Sequence, residues 1–179
     1  MNVTISNLSP EEIQRLLPQL VALLQDAVAA GASIGFLPPL AAADATDYWV
    51  GVADAVQAGH RVLLVAQPEN DPVVQATVQL DLATKPNALH RAEVAKLLVH
   101  SSARRQGLGR QLIAAIEEQA RQLGRTTLVL DTRHGDVAEQ LYQQAGFELV
   151  GLIPEYFLNN DGQLHATAVY YKILAAVKP

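Results

Sequence analysis

The sequence contains no cysteine. That absence excludes disulfide bridges, thiolate metal sites and any covalent cysteine intermediate, and it suits a reducing cytosol. The start, "MNVTISNLSPEE", lacks the basic segment and apolar run of a signal peptide. No stretch approaches the roughly 18 uninterrupted apolar residues that a membrane span needs. Positive charge is also scarce. The formal net charge is -5, which argues against general nucleic-acid binding, where a basic face is expected. The five histidines (60, 90, 100, 134, 165) show no metal-ligand spacing, so no metal is expected. Internal repeats, low-complexity runs and linkers are lacking too. The expectation is a single domain over residues 1–179, soluble and cytoplasmic, without membrane or nucleic-acid partners.

What is present reads as alternating strands and helices. Val3 and Ile5 alternate with Thr4 and Ser6 as a short strand. Ser9-Pro10-Glu11-Glu12 is a helix start with the components of a capping box. An apolar stripe from Ile13 to Ala27 follows, and Pro18 is expected to kink or split that helix. A second helix spans about 44–58. "RVLLVA" (61–66) and 73–82 form a hairpin around the turn-rich "QPENDP". A third strand covers about 91–99. A helix at 107–123, with Leu123 on its buried face, is followed by a strand at 126–131 and a helix at 137–145. The last two strands are expected at 147–152 and 166–174. The order β-α-α-β-β-β-α-β-α-β-β describes an α/β protein with a mixed sheet and one right-handed βαβ crossover.

"GASIGF" (31–36) matches the G-x-S-x-G pattern of a hydrolase nucleophile elbow. An elbow needs a strand before the serine and a helix after it. Here a helix precedes and Leu37-Pro38-Pro39 follows, so Ser33 is no nucleophile. The segment reads as a loop between helices.

"VHSSARRQGLGRQL" (99–112) carries the chemistry. Gly107 and Gly109 open a helix whose free N–H groups and dipole favour an anion. Arg104, Arg105 and Arg110 add three cations within seven residues of an otherwise acidic chain. A P-loop requires Lys-Ser/Thr after the last glycine, and Arg110-Gln111 stands there. A dinucleotide fingerprint would use Gly107, Gly109 and the acid Asp131. It places Leu112 where its third glycine belongs, and only one βαβ unit is present. The third reading, R/Q-x-x-G-x-G/A, takes Arg104, Gly107 and Gly109 as a pyrophosphate loop.

With "AEQLYQQAGF" (138–147) and the element order, this loop resembles the GNAT superfamily of N-acetyltransferases across nearly the whole chain. "GASIGF", "KPNALHRAEVAKLLV", "LDT", "VAEQLY" and "DGQLHATAVYYK" are similar to corresponding blocks of the tabtoxin-resistance acetyltransferases. The resemblance implies a mixed sheet with helices on both faces and a splayed parallel strand pair. It implies acetyl-CoA as cosubstrate. Main-chain contacts from Leu97 and Val99 would hold its pantetheine arm, and Arg104, Arg105, Gln106, Gly107, Leu108, Gly109 and Arg110 its pyrophosphate.

For catalysis, Glu93 and Asp131 are both candidates to accept the amine proton. Strand alternation puts Glu93 on one face with Ala95, Leu97 and Val99. The resemblance implies that Tyr142 protonates the departing thiolate. Ser33, Phe36 and Arg133 are candidate contacts to the acceptor, with Arg133 able to pair with Asp131 or with a substrate carboxylate. Many superfamily members have an asparagine where Asp136 stands, so an amide contact to the cofactor is missing there. The expected activity is direct acetyl transfer, in a ternary complex, to a small amino-acid-like or toxin amine. A peptide or protein acceptor, or a CoA-binding or nucleotide-binding module without catalysis, are the other readings. Superfamily members are often dimers, and no interface is legible in the sequence.

Overall fold

A computed structural model describes residues 3–70 and 73–175. The elements are β1 (Val3–Asn7), α1 (Pro10–Ala29), α2 (Ala42–Gln57), β2 (Arg61–Pro68), β3 (Ala76–Leu82), β4 (Arg91–Val99), α3 (Leu108–Gln122), β5 (Thr127–Arg133), α4 (Val137–Gln144), β6 (Glu148–Leu158) and β7 (Leu164–Ile173). The expected element order holds, and the seven strands form one sheet in the order β1-β2-β3-β4-β5-β7-β6. Only β4 and β5 are parallel. Two residues of the "QPENDP" turn, 71 and 72, lie outside the described residues. The hairpin around it is present, pairing Arg61 with Asp81 through Ala66 with Ala76.

The sheet separates two apolar layers. Leu63, Val65 and Leu98 face α1 and α2, packing with Leu20, Leu24, Trp49 and Val52. Val62, Leu64, Val78, Leu80 and Val94 face α3 and α4, packing with Leu112, Ile113, Ile116 and Tyr142. Helices therefore cover both faces. β2 supplies both layers because successive side chains point to opposite faces.

Local chemistry explains α1. Ser9 Oγ accepts from Glu12 N at 3.3 Å, and Ser9 N donates to Glu12 Oε2 at 2.8 Å, completing the capping box. The expected break at Pro18 is not seen, since α1 is continuous from Pro10 to Ala29. Pro18 and Gln14, whose carbonyl loses its helical donor, both face solvent, so water can satisfy that carbonyl. Ile13 on one side and Leu20 on the other anchor both halves in the same core. Leu123, expected in the core, is instead exposed at the end of α3.

Two irregular strands shape the centre of the molecule. In β4, Thr77 pairs with Leu98 and Gln79 with Ala95, so Lys96 and Leu97 together oppose Val78. This bulge places Lys96 at φ +49. β6 is longer than its expected 147–152. Its pairing with β7 shifts between Leu149 and Gly151 and again between Ile153 and Phe157, with Glu155 at φ +51.

Candidate functional site

β4 and β5 pair only at Arg91–Thr127, Ala92–Leu128 and Glu93–Val129. Beyond Glu93 the strands diverge, and the β5-facing edge of β4 has no strand partner. A cavity of about 330 Å³ opens at this divergence. Its walls are the loop 32–35, β4 from Glu93 to Leu97, residues 131–133 of β5, Asp136, Ala138 and Tyr142 of the α4 region, and Tyr156 and Phe157 of β6.

All three sequence-predicted catalytic candidates reach this cavity. Glu93 opens onto it beside Asp81, its partner across β3–β4. Partial removal from water raises the Glu93 pKa, and repulsion from Asp81 and Asp131 adds to the rise; Lys96 and Arg61 oppose it. Arg61 is tied to Asp81 by a two-point ion pair, with Nη2–Oδ2 at 2.9 Å. Asp131 stands at the cavity mouth and accepts from Thr167 Oγ1 at 2.8 Å. Tyr142 is buried between Phe147 and Tyr170, with ring centroids 5.9 and 6.5 Å away. Burial, with repulsion from Asp136 and Asp131, pushes its hydroxyl pKa up, so the phenol stays protonated.

The acceptor-side candidates divide. Ser33 lines the cavity. Phe36 is not among the lining residues; it packs edge-on against Tyr48 at 5.5 Å. Arg133 lines the cavity, and the expected pairing with Asp131 is not formed. Its guanidinium binds Asp136 Oδ2 at 2.7 Å and the Gly31 carbonyl at 3.3 Å. Asp136 itself caps α4, accepting from Ala138 N at 3.1 Å.

Simple alternation on β4 is corrected by the bulge. Ala92 and Val94 belong to the layer under α3, and Leu97 and Val99 pack against that same layer. Glu93 alternates with Ala92 and Val94, so it faces the α1–α2 side, where Leu98 is buried. Glu93 therefore lies on the face opposite Leu97 and Val99. One inserted residue reverses every later side chain.

The arginine loop precedes α3 at the same end of the sheet. Arg105 and Gly107 both have left-handed backbones, at φ +61 and +81, and Gly107 is the N-cap of α3. Left-handed residues on either side of Gln106, followed by the N–H groups of a helix start, suit an anion. Arg104, Arg105, Gln106 and Arg110 are exposed there and Leu108 is buried beneath them. Arg104 Nε donates to Val99 O at 3.4 Å, and Arg110 Nη2 donates to Gln144 Oε1 at 2.9 Å. Gly109 serves packing: a Cβ added there would lie 3.1 Å from Leu141 Cδ2.

The sequence reading passed over three lining residues. Lys96 carries no role in the sequence analysis, while Tyr156 and Phe157 lie beyond the expected end of β6. The signals were weak: Pro154 interrupts the strand pattern, and a bulge has no fixed sequence signature.

A splayed parallel pair, a glycine-started helix beside an arginine loop and two carboxylates lining the gap are the features that the resemblance in sequence implied. Residues 37–147 match the acetyltransferase (GNAT) family, and the chain belongs to that family. It is 36% identical over 110 residues to an uncharacterized N-acetyltransferase from the hisH-hisA intergenic region of Azospirillum brasilense. That match covers 60% of this chain and 62% of the relative, about three fifths of its length. The fold is similar to that of the ribosomal-protein-alanine N-acetyltransferase from Brucella melitensis, with a TM-score of 0.78 at 24% identity over 96% of this chain and 99% of the other. It is also similar to yncA from Salmonella typhimurium, solved with its cofactor acetyl-CoA, with a TM-score of 0.79 at 20% identity over 100% and 98% of the two chains. Among the described residues, no helix is long and apolar enough to cross a membrane.

Proposed function

We propose that this chain is an acetyl-CoA-dependent N-acetyltransferase acting on the amine of a small, amino-acid-like acceptor. The observation that carries the reading is the convergence of Glu93, Asp131 and Tyr142 on one cavity at the divergence of β4 and β5. The concavity formed by Arg105, Gly107 and the start of α3, flanked by Arg104 and Arg110, fits a pyrophosphate. The unpaired edge of β4, with Leu97 and Val99, fits the amide-bearing pantetheine arm. When bound, acetyl-CoA supplies an activated acetyl thioester.

An amine attacks only as the free base, so its proton must leave. Glu93 accepts that proton, directly or through water, and its raised pKa brings it closer to the amine in basicity. Asp131, held by Thr167, attracts the incoming ammonium. As the new C–N bond forms and the C–S bond breaks, Tyr142 gives its proton to the departing sulfur. Transfer is direct, in a ternary complex, because the chain offers no cysteine to carry the acetyl group.

The small cavity supports a small acceptor. The similarity to tabtoxin-resistance acetyltransferases in "GASIGF" and "DGQLHATAVYYK" supports one resembling an amino acid. A peptide terminus is the second reading, favoured by the fold-level likeness to the ribosomal-protein-alanine enzyme. The edge strand β6 exposes Val150, Ile153 and Leu158 and supports a homodimer across that edge, testable by light scattering.

The test is calorimetric titration with acetyl-CoA beside NAD, followed by a thiol-release screen of free amino acids, other amines and peptides. Saturable acetyl-CoA binding with turnover of small amines is expected. Binding of NAD alone, or CoA binding without turnover of any acceptor, would overturn the assignment. Turnover of peptides alone would replace the small acceptor with a peptide.

A further inference from the structure

Five charged side chains line the cavity: Glu93, Lys96, Asp131, Arg133 and Asp136. Arg133 and Asp136 neutralise each other at 2.7 Å. Lys96 is different. Among the described residues its ammonium forms no ion pair within 4 Å and no hydrogen bond, whereas Arg61 is paired with Asp81 and Lys172 with Glu117. Its main-chain carbonyl accepts from Thr77 Oγ1 at 3.2 Å, and its ammonium has only a cation–π contact. The Nζ atom lies 6.0 Å from the centre of the Tyr48 ring and 4.0 Å from where a Cβ on Gly35 would stand. The Tyr48 ring is fixed in turn by hydrogen bonds with buried Gln79, at 2.9 and 3.1 Å.

This ammonium is costly to keep. It is half-buried, and desolvation, with repulsion from Arg61, lowers its pKa. Its backbone is left-handed, a conformation unfavourable for lysine that persists where surrounding structure enforces it. Asp81, Asp131 and Glu93 oppose the fall in its pKa from a distance, but none of them lies within ion-pair reach of the ammonium. A partly dehydrated cation with no carboxylate in direct contact is completed by an anion. Glu93 and Lys96 stand three residues apart on one strand, about 10 Å along it, and both side chains enter the same cavity. Carboxylates and an ammonium thus line one cavity without pairing within 4 Å.

We infer that Lys96 is the specificity-determining cation of the acceptor site, pairing with a carboxylate of the molecule whose amine faces Glu93 and Asp131. The inference rests on the amine-acetylation reading and narrows it. The substrate class is a small free amino acid, as opposed to a diamine, a decarboxylated amine or a peptide terminus. Arg133, the cation expected for this role from sequence, is already occupied by Asp136 and Gly31.

The experiment compares matched compounds: free amino acids, including β- and γ-amino acids, each beside its carboxamide and its decarboxylated amine. Binding is measured by calorimetry on the full chain with CoA present, and kcat/KM by thiol release. Wild type, Lys96→Asn and Lys96→Arg are used. Asn tolerates the left-handed backbone, so Lys96→Asn should fold, and Lys96→Arg retains the charge if it does not. Wild type should favour the acid over its amide about 10–100-fold in Kd and kcat/KM, the range of a charge-assisted contact. Lys96→Asn should erase that preference by weakening the acid alone, with acetyl-CoA affinity unchanged, and Lys96→Arg should keep part of it.

Equal handling of acid and amide by wild type overturns the inference, as does a preference that survives Lys96→Asn. Failure of every carboxylate in the panel to bind overturns it as well. Carboxylate binding that depends on Lys96 without any acetyl transfer upholds it and overturns the acetyltransferase reading. Transfer to amides or peptides as readily as to acids does the reverse.

Discussion

Glu93 is the last residue of β4 to pair with β5, opposite Val129. Its carboxyl therefore sits where the parallel ladder ends and the cavity begins. The raised pKa follows from that place: walls on one side and acids on the other disfavour its charge. Glu93→Gln should lower kcat about 10²–10⁴-fold at neutral pH, leaving acetyl-CoA affinity unchanged. The wild-type rate should rise with pH on a limb whose midpoint lies above the ordinary glutamate value, about 4.3, and that limb should vanish in the variant. Steady-state kinetics across pH, with calorimetry for acetyl-CoA, check both.

The same shift has a consequence for stability. A carboxyl whose pKa is higher folded than unfolded favours folding in its protonated form. Its contribution is fully present below the unfolded pKa and is lost as pH rises through the folded one. Glu93→Gln should therefore melt above wild type at neutral pH and together with it below about pH 4. Thermal melts at the two pH values decide.

Tyr142→Phe removes a hydroxyl whose raised pKa suits it to donate a proton and not to lose one unaided. A fall in kcat of about 10²-fold is expected, with the melting temperature little changed because both rings fill the space beside Phe147. Full activity would return Tyr142 to a packing role.

The anion concavity can be tested without disturbing its shape. Arg105 has φ +61, a conformation glycine adopts without strain, so Arg105→Gly removes the side chain and its charge while that backbone stays accessible. Acetyl-CoA should bind about 10-fold more weakly, with less dependence on salt, in titrations at two ionic strengths. Gly107→Ala should act oppositely on the fold. At φ +81 a Cβ costs about 1–2 kcal/mol, visible as a lower melting temperature.

Ser9→Ala removes the acceptor for Glu12 N at the start of α1. The loss should be about 1 kcal/mol, or about 2–4 °C in melting temperature, without effect on acetyl-CoA binding.

Much of this molecule is local and was legible along the chain. The capping box at Ser9, the glycine start of α3, the arginine loop and the element order each depend on neighbouring residues. Local rules failed where distant segments decide. Pro18 does not break α1, because one core holds both halves of the helix. Phe36 belongs to Tyr48 instead of the cavity, because α2 brings that ring against the loop. Tyr156 and Phe157 reach the site along a strand that Gly151 and Pro154 disguise.

The sequence by itself determined the order of elements, the helix starts and the residue types gathered near the arginine loop, since caps and turns follow from backbone sterics and nearby hydrogen bonds. Only the tertiary structure decided which face Glu93 occupies, which of the two cations lining the cavity has no ion pair among the described residues, and that residues 33, 93, 131 and 142 meet in one cavity. Strand neighbours are chosen by long-range pairing, and a single bulge residue reverses the side chains beyond it.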